Sequence, residues 1–358
     1  MKIYLAPMAG VTDNAFRILV REVSGYNDFM FSEMISSTGI HYKSQKTFEM
    51  LEFTEAELPI SIQLFGSNPE YVSEAAKYVN SKCVMRNAKL NEKLEAVDTI
   101  DNQEVNEIAT TNSPAIHQNN SNDSEFRIPN FALDFNLGCP APKIVKNGEG
   151  SALMKNPKLV AELLTALRSS TDLPVSVKMR IGFDSDHINS VEIAQIAQDC
   201  GINSITVHGR TREQYYSGKA DWSEIAKVKQ AVRIPVIANG DVCDEKSLDA
   251  IISETNADGV MIGRAAMGNP WIFKRLNHYI KTGEKLPPPT LEERFNVIRR
   301  HLDLLLEFKG EYIGIREMRK HAAWYTKGLI GGAELRDKIN RAESKEDFLK
   351  IFADNRFK

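Results

Sequence analysis

Eight short apolar runs, each followed by a stretch with helical spacing, constrain the fold of this chain more than any other feature. The runs fall at 3–10, 29–34, 60–66, 131–139, 175–182, 204–210, 235–241 and 259–264. They are nearly continuous in apolar character, as strands covered on both faces are. Between them lie stretches such as NPKLVAELLTALRSS and SVEIAQIAQDCG, whose apolar positions recur every three to four residues. Strand and helix in regular alternation imply parallel strands covered by helices. Eight such units before residue 285 predict an α/β fold, a (β/α)8 TIM barrel, rather than an open doubly wound sheet. No G-x-G-x-x-G follows the first run, which weakens a dinucleotide-binding alternative.

Two segments depart from the pattern. Residues 86–130 are rich in Asn, Thr, Ser and acidic side chains and are expected to form a largely flexible insertion, with a short helix around Val105–Ala109. An insertion placed before a strand falls on the bottom face of a barrel, away from the usual site of chemistry. The second departure begins at KLPPPTLEER, a stiff linker with Thr290 as the expected N-cap. The expected domains are therefore a barrel over 1–285 and a small all-helical domain over 290–358. The latter carries 15 Lys and Arg against 12 Asp and Glu, whereas the whole chain has a net charge of -3.

With 358 residues, 42% of them hydrophobic, the chain is long enough to bury a large core. Its four cysteines are far apart with no C-x-x-C pair, which argues against a disulfide framework and a zinc site. No apolar run approaches membrane-spanning length and no signal peptide is evident. A monomeric cytoplasmic protein, with no metal and no membrane partner, is expected.

The strand ends carry the chemistry. In a barrel they converge on one mouth, and here they are polar: Glu33, Gln63, Asn136, Cys139, Lys178, Arg180, His208 and Arg210, then Asn239-Gly240-Asp241 and Gly263-Arg264. Gly240, Gly263 and Arg264 follow strands seven and eight, where such barrels commonly bind phosphate. Pro7, Met8 and Ala9 offer a flat apolar wall. Gln63 can donate to and accept from an amide-like ring edge. Lys178 can place positive charge beside a ring that becomes anionic on reduction. Together these features describe a flavin mononucleotide site. Lys178 also permits an aldolase reading through a Schiff base, although Arg180 and His208 nearby disfavour it. His208 is expected to bind ligand rather than transfer protons. Cys139 has no nearby cysteine and no adjacent basic partner, which gives little support to metal or nucleophilic chemistry, although Lys143 or Lys146 could reach it; as a protonated thiol opposite a flavin it could serve as a general acid. Cys83, Cys200 and Cys243 are expected to be packing residues.

In APMAGVTD (6–13), SEM (32–34), QLFG (63–66), NLGCPAPKIVKNGEGSALM (136–154), VKMRIG (177–182), HGRTREQ (208–214), ANGD (238–241), GRAAMGNPWIF (263–273), REMRKHAAWYTKGL (316–329) and AELRDKIN (333–340), the chain resembles the tRNA-dihydrouridine synthase family. The resemblance spans nearly the whole chain except the insertion. It implies an oxidoreductase that uses FMN, reduced by NADPH, to reduce the 5,6 double bond of selected tRNA uridines. It implies that Pro7, Met8, Ala9, Gln63, Lys178, His208, Asn239, Gly240, Asp241, Gly263 and Arg264 hold FMN. Cys139 would protonate carbon 5 while hydride reaches carbon 6. Glu33, Asn136, Lys143, Lys146, Arg180 and Arg210 would meet or guide the RNA at the mouth. A uridine must leave its stack to reach such a pocket; Arg316, Arg319, Lys320, His321 and Lys327 of the helical domain would hold tRNA phosphates. Trp324 and Tyr325 suit core packing or base stacking equally. A flavin reductase of a free pyrimidine, or a catalytically silent tRNA-binding protein, are the alternatives.

Overall fold

The computed structural model describes residues 1–108, 130–329 and 331–353. Strands β1 (Lys2–Leu5), β2 (in two pieces, Met30–Phe31 and Ile35–Ser36), β3 (Ile60–Phe65) and β4 (Phe131–Leu137) form half of a parallel barrel. Strands β5 (Val175–Gly182), β6 (Ser204–Thr211), β7 (Val236–Asn239) and β8 (Gly259–Ile262) complete it. Neighbours pair in sequence order, and β8 closes on β1 from Lys2↔Gly259 to Leu5↔Ile262. The first piece of β2 pairs with both β1 and β3, through Leu5↔Met30 and Met30↔Ile60. The expected eight-stranded barrel is present, with one break in β2 at residues 32–34.

Alternation along the strands sorts two populations of side chains. Outward positions such as Ile3, Leu5, Ile62, Leu133, Val177, Ile205 and Val260 join the helices in one continuous core. Each such side chain contributes about 1.5–3 kcal/mol on burial. Inward positions Ala6, Phe31, Ile237 and Met261, with Tyr4 against them, form a separate small cluster inside the barrel. Further along the strands the inward set turns polar and stays buried: Ser61, Gln63, Asp134, Asn136, Thr206 and His208. That polar layer is the floor of the site.

Helices α1 (Asn14–Ser24), α2 (Ser37–His41) and α3 (Gln45–Glu49) follow the first two strands. After β3 comes α4, Pro69–Ile108, 40 residues long. This corrects the expected helix limited to Val105–Ala109: the helix runs unbroken from the barrel through residue 108, and Ala109 lies outside the described residues. No Gly or Pro interrupts residues 70–108, and the Lys, Leu, Glu and Ala of this stretch are good helix formers. Helices α5 (Pro142–Lys146), α6 (Pro157–Arg168), α7 (Ser190–Asp199), α8 (Trp222–Ala231), α9 (Glu245–Thr255) and α10 (Trp271–Thr282) complete the surround.

The C-terminal region is helical: α11 (Leu291–Tyr325), α12 (Gly332–Arg341) and α13 (Lys345–Ala353). Thr290 caps α11 as expected, in a capping box with Glu293. Gly310 breaks α11 internally at φ 71°, ψ 168°. The region docks on α1. Phe16 lies 5.7 and 6.1 Å, ring to ring, from His301 and His321. Lys309 bridges Asp13 and Glu317. Arg300 pairs with Glu22 at 2.6 Å. Among the described residues no helix is long and apolar enough to cross a membrane.

Candidate active site

A cavity of about 1030 Å³ opens at the C-terminal ends of the strands. Pro7, Met8, Ala9, Gln63, Lys178, His208, Asn239, Gly240, Asp241, Gly263 and Arg264 all line it, as do Asn136, Cys139 and Arg180. Side chains from strands far apart in sequence thus share one wall.

The floor is a chain of hydrogen bonds. Ser176 Oγ and Gln63 Nε2 donate to the two oxygens of Asp134, at 2.5 and 2.6 Å. Asn136 Nδ2 donates to Gln63 Oε1 at 2.8 Å. Asn136 Oδ1 then accepts from the backbone N–H of Gly138 and of Cys139, at 3.0 and 2.8 Å. Burial raises the Asp134 carboxyl to about 6, against the opposing pull of its hydrogen bonds and of Lys178.

Lys178 reaches the cavity from β5, and its ammonium makes no hydrogen bond among the described residues. Burial, reinforced by Arg180, lowers its ammonium to about 8. The imidazole of His208 is held well below its ordinary value by burial and by Lys178, Arg180, Arg210 and Arg264. It is therefore neutral, and its Nε2 sits 3.4 Å from Arg210 Nη1, which donates. Arg210 Nη2 also grips Asp241 at 2.8 and 2.7 Å, while Arg264 reaches the same carboxylate at 3.1 Å. Arg210 is almost wholly buried, so it orders the pocket wall rather than guiding RNA as expected.

Cys139 begins the loop after β4. Ser151 Oγ donates to its carbonyl at 2.8 Å, and Arg180 Nε donates to the Gly138 carbonyl at 2.9 Å. Burial pushes the thiol up, and the opposing influences of the Ala141 N–H, Arg180 and Lys178 do not cancel it. The sulfur stays a thiol at neutral pH and can give up a proton.

Other expected contacts divide. Lys143 and Lys146 are exposed on α5, and Lys327 is exposed and lines the cavity. Glu33 stands in the break of β2, and its Oε1 accepts the Gly10 N–H instead of facing the cavity. Arg180 is buried, donating also to the carbonyls of Thr211 and Tyr215. Lys320 donates to the Gly10 carbonyl, and Arg316 lies over its neighbour Tyr312, 3.5 Å from the ring centroid. Arg319 spends its guanidinium on the Ala342 carbonyl. His321 is fully buried against Phe16, His301 and Trp324, so its ring meets no phosphate. Tyr325 is core, whereas Trp324 lines the cavity. Cys83 is buried and Cys200 packs against the core, but Cys243 is exposed and lines the cavity, so it is not a packing residue.

The sequence pattern missed Tyr215 and Tyr216, which line the mouth. The Tyr216 ring lies 4.6 Å from Arg264 and 5.9 Å from Arg180. Paired tyrosines in a Gly- and Ser-containing loop after a strand were the available signal. Asp134 was missed as well: a carboxylate inside FALDFNL, a run with apolar neighbours on both sides, marks a buried polar partner.

The profile of the family described as "Dihydrouridine synthase (Dus)" matches residues 4–91 and 130–358. The chain belongs to the dihydrouridine synthase family. It is accordingly an enzyme, an oxidoreductase. The residues the profile skips, 92–129, fall within the segment read from sequence as an insertion. The tRNA-dihydrouridine synthase B of Xanthomonas axonopodis pv. citri is 38% identical over 353 residues, 99% of this chain and 92% of the relative. The probable tRNA-dihydrouridine synthase 1 of Synechocystis sp. is 37% identical, over 97% of this chain and 85% of the relative. The tRNA-dihydrouridine synthase B of Pseudomonas aeruginosa is 36% identical, over 96% of this chain and 90% of the relative.

Proposed function

We propose that this member of the dihydrouridine synthase family reduces the 5,6 double bond of uridines in tRNA, using FMN that NADPH reduces. Its pocket suits that cofactor. The cavity has room for an extended ligand, and the buried ammonium of Lys178 lacks a hydrogen-bond acceptor among the described residues. Gly240, at φ +133°, lets the backbone after β7 pack against Ala220 and His208 more closely than a side chain would allow, since a Cβ there would lie 2.7 Å from the Ala220 Cβ. Pro7, Met8 and Ala9 would pack the ring, Gln63 and Lys178 would meet its polar edge, and Gly263 with Arg264 would hold its phosphate. Bound and reduced, FMN supplies the hydride that reaches uracil carbon 6.

The chain's own part is the proton. Cys139 Sγ gives its proton to carbon 5, completing the addition of hydride and proton across the double bond, and the thiolate recovers a proton from water. The observation that carries this reading is the protonated Cys139 thiol on the same wall as Gln63, Lys178 and His208. In this reading the C-terminal helices hold the tRNA body, with Lys327 and Trp324 at the cavity edge, and the protein acts as a cytoplasmic monomer. The test is dihydrouridine content in tRNA from cells lacking the protein, re-supplied with native protein or Cys139→Ala. Loss restored by the native form alone supports the reading. Unchanged dihydrouridine in the absence of the protein, with no redundant enzyme, refutes it in favour of reduction of a free pyrimidine.

A further inference from the structure

A side-chain amide presents an oxygen at one end and a donor at the other, so a chain of amides has a direction that something must set. In this barrel the chain is Gln63 to Asn136, and it runs between two different groups. At one end stand the backbone N–H groups of Gly138 and Cys139, which can only donate. At the other stands Asp134, whose two carboxyl oxygens both accept. The carboxylate takes Ser176 Oγ on one oxygen and Gln63 Nε2 on the other. Gln63 is then obliged to turn Oε1 toward Asn136 Nδ2, and Asn136 to turn Oδ1 toward the two backbone donors. Turning Asn136 over would set Nδ2 against two N–H groups and oxygen against oxygen at Gln63. All three side chains are buried, Asp134 completely. Buried polar groups depend on one another for partners, so a wrong orientation leaves polar atoms unpaired at a cost.

We propose that Asp134 is a positioning residue for the reaction, setting the direction of the Gln63–Asn136 chain and thereby the backbone that carries Cys139. It touches neither substrate nor ring. It acts through Asn136 on the loop that aims the thiol, and through Gln63 on the edge offered to the pocket. The assignment rests on the reading of Cys139 as the acid. The competing role for a carboxylate here is counter-ion to Lys178; among the described residues the two make no hydrogen bond, while both oxygens of Asp134 are taken by Ser176 and Gln63.

Two substitutions in the FMN-loaded protein separate these roles. Asp134→Leu keeps the branch at Cγ, though with bulkier methyl groups, and offers no acceptor. Asp134→Asn discards the charge but can keep the chain, giving its oxygen to Gln63 and its Nδ2 to Ser176 Oγ, which accepts as readily as it donates. Hydrogen–deuterium exchange of the peptide carrying Gly138 and Cys139 reads loop order directly. Dihydrouridine formation, split into kcat and KM for tRNA, reads its consequence. With Asp134→Leu, exchange rises and kcat falls, each about tenfold, as loss of one to two buried hydrogen bonds requires, with KM unchanged. Asp134→Asn stays close to native on both. Native-like exchange and kcat in Asp134→Leu overturn the assignment, and so does an Asp134→Asn variant as impaired as the Leu, which would make charge the property that matters. If the native protein forms no dihydrouridine, the exchange measurement still decides the orienting role, so the two readings fail separately. Where Asp134→Leu does not fold, neutron diffraction of the native protein replaces it. Deuterium on Gln63 Nε2 pointing at Asp134 supports the assignment, and the reversed amide overturns it.

Discussion

Arg210 Nη2 lies 2.8 and 2.7 Å from the two carboxylate oxygens of Asp241 and also donates to the Gly218 carbonyl at 2.8 Å. Asp241 in turn shares its charge with Arg264, the cation proposed for the phosphate. Arg210→Lys supplies a charge but not the planar fork. Asp241 then draws Arg264 toward itself, and the pocket loses both order and free positive charge. Expected are a stability loss of about 2–3 kcal/mol and release of FMN on gel filtration. Arg264→Ala leaves Asp241 held, so it lowers FMN affinity with little change in Tm.

Arg17 pairs with Glu57 where neither side chain meets solvent to any extent, 4% and 0% exposed. The pair fastens the β2–β3 connection to α1. Glu57→Gln keeps the shape and removes the counter-charge, leaving a guanidinium buried alone. Breaking such a pair costs about 3–5 kcal/mol. A urea midpoint that falls accordingly, with unchanged m, is the expected outcome. A midpoint within error of native would mean that water reaches Arg17.

His301 and His321 stand 4.4 Å apart, ring to ring, between α11 and the barrel. Burial lowers His301 to about 4 and His321 well below its ordinary value. Since their folded values lie below the unfolded one of about 6.5, the unfolded chain binds protons first on acidification. Stability is therefore lost as pH falls from about 6.5 toward 4, by up to about 1.4 kcal/mol per unit for each imidazole. His208, also held well below its ordinary value, adds to the loss, while Asp134, raised to about 6, and Glu33 and Glu149, also raised by burial, work in the opposite direction. Urea titrations at pH 7, 6 and 5 should show the loss, and His321→Phe should shallow the slope by about one proton.

The strands and the residues lining the cavity were legible because both depend on local pattern. A parallel strand must be apolar on its outer face, and a barrel delivers every strand end to one mouth, so Gln63, Lys178 and His208 could be grouped without knowing the pairing. What the sequence hides is the direction in which packing turns a charged or polar residue. Arg319 and His321 look like a basic helical face, yet α11 rotates one onto a carbonyl and the other into the core. Arg210 ends a strand as a substrate contact would, and is consumed by Asp241. Residues 86–108 read as polar and irregular, while the absence of any breaker lets α4 continue through them.

The profile gap at 92–129 and the contacts of α4 make a separable prediction. Among the described residues, the buried side chains through which α4 holds the barrel are Val72, Ala75, Ala76, Val79 and Cys83, which precede the gap. Arg86 completes the attachment, donating to the Phe53 carbonyl and lying 4.2 Å from its ring centroid. Replacing 92–129 by a short flexible loop removes the end of α4 and none of these contacts, so the expected cost is the change in closure entropy, about 1 kcal/mol or less. FMN retention and dihydrouridine formation should be those of the native protein. Loss of FMN in the shortened chain would make the segment part of the fold.

Gly310 holds α11 in two halves with a backbone that other residues avoid, φ 71° and ψ 168°. A Cβ there would touch nothing within 4 Å, so any penalty of Gly310→Ala is conformational and not steric crowding with neighbours. The cost should be about 1–3 kcal/mol. Relief lies in straightening the helix, and the docking contacts oppose it: Lys309 precedes the break and holds Asp13, while Lys320 follows it and holds the Gly10 carbonyl. The variant must keep the strain or release one half from the barrel. Because Trp324 reaches the cavity from the second half and Lys327 from the turn that follows it, release should weaken tRNA binding and leave FMN in place. Tm, FMN content and tRNA affinity measured together distinguish the outcomes: lower Tm alone means stored strain, and lower Tm with weaker tRNA binding means a displaced half.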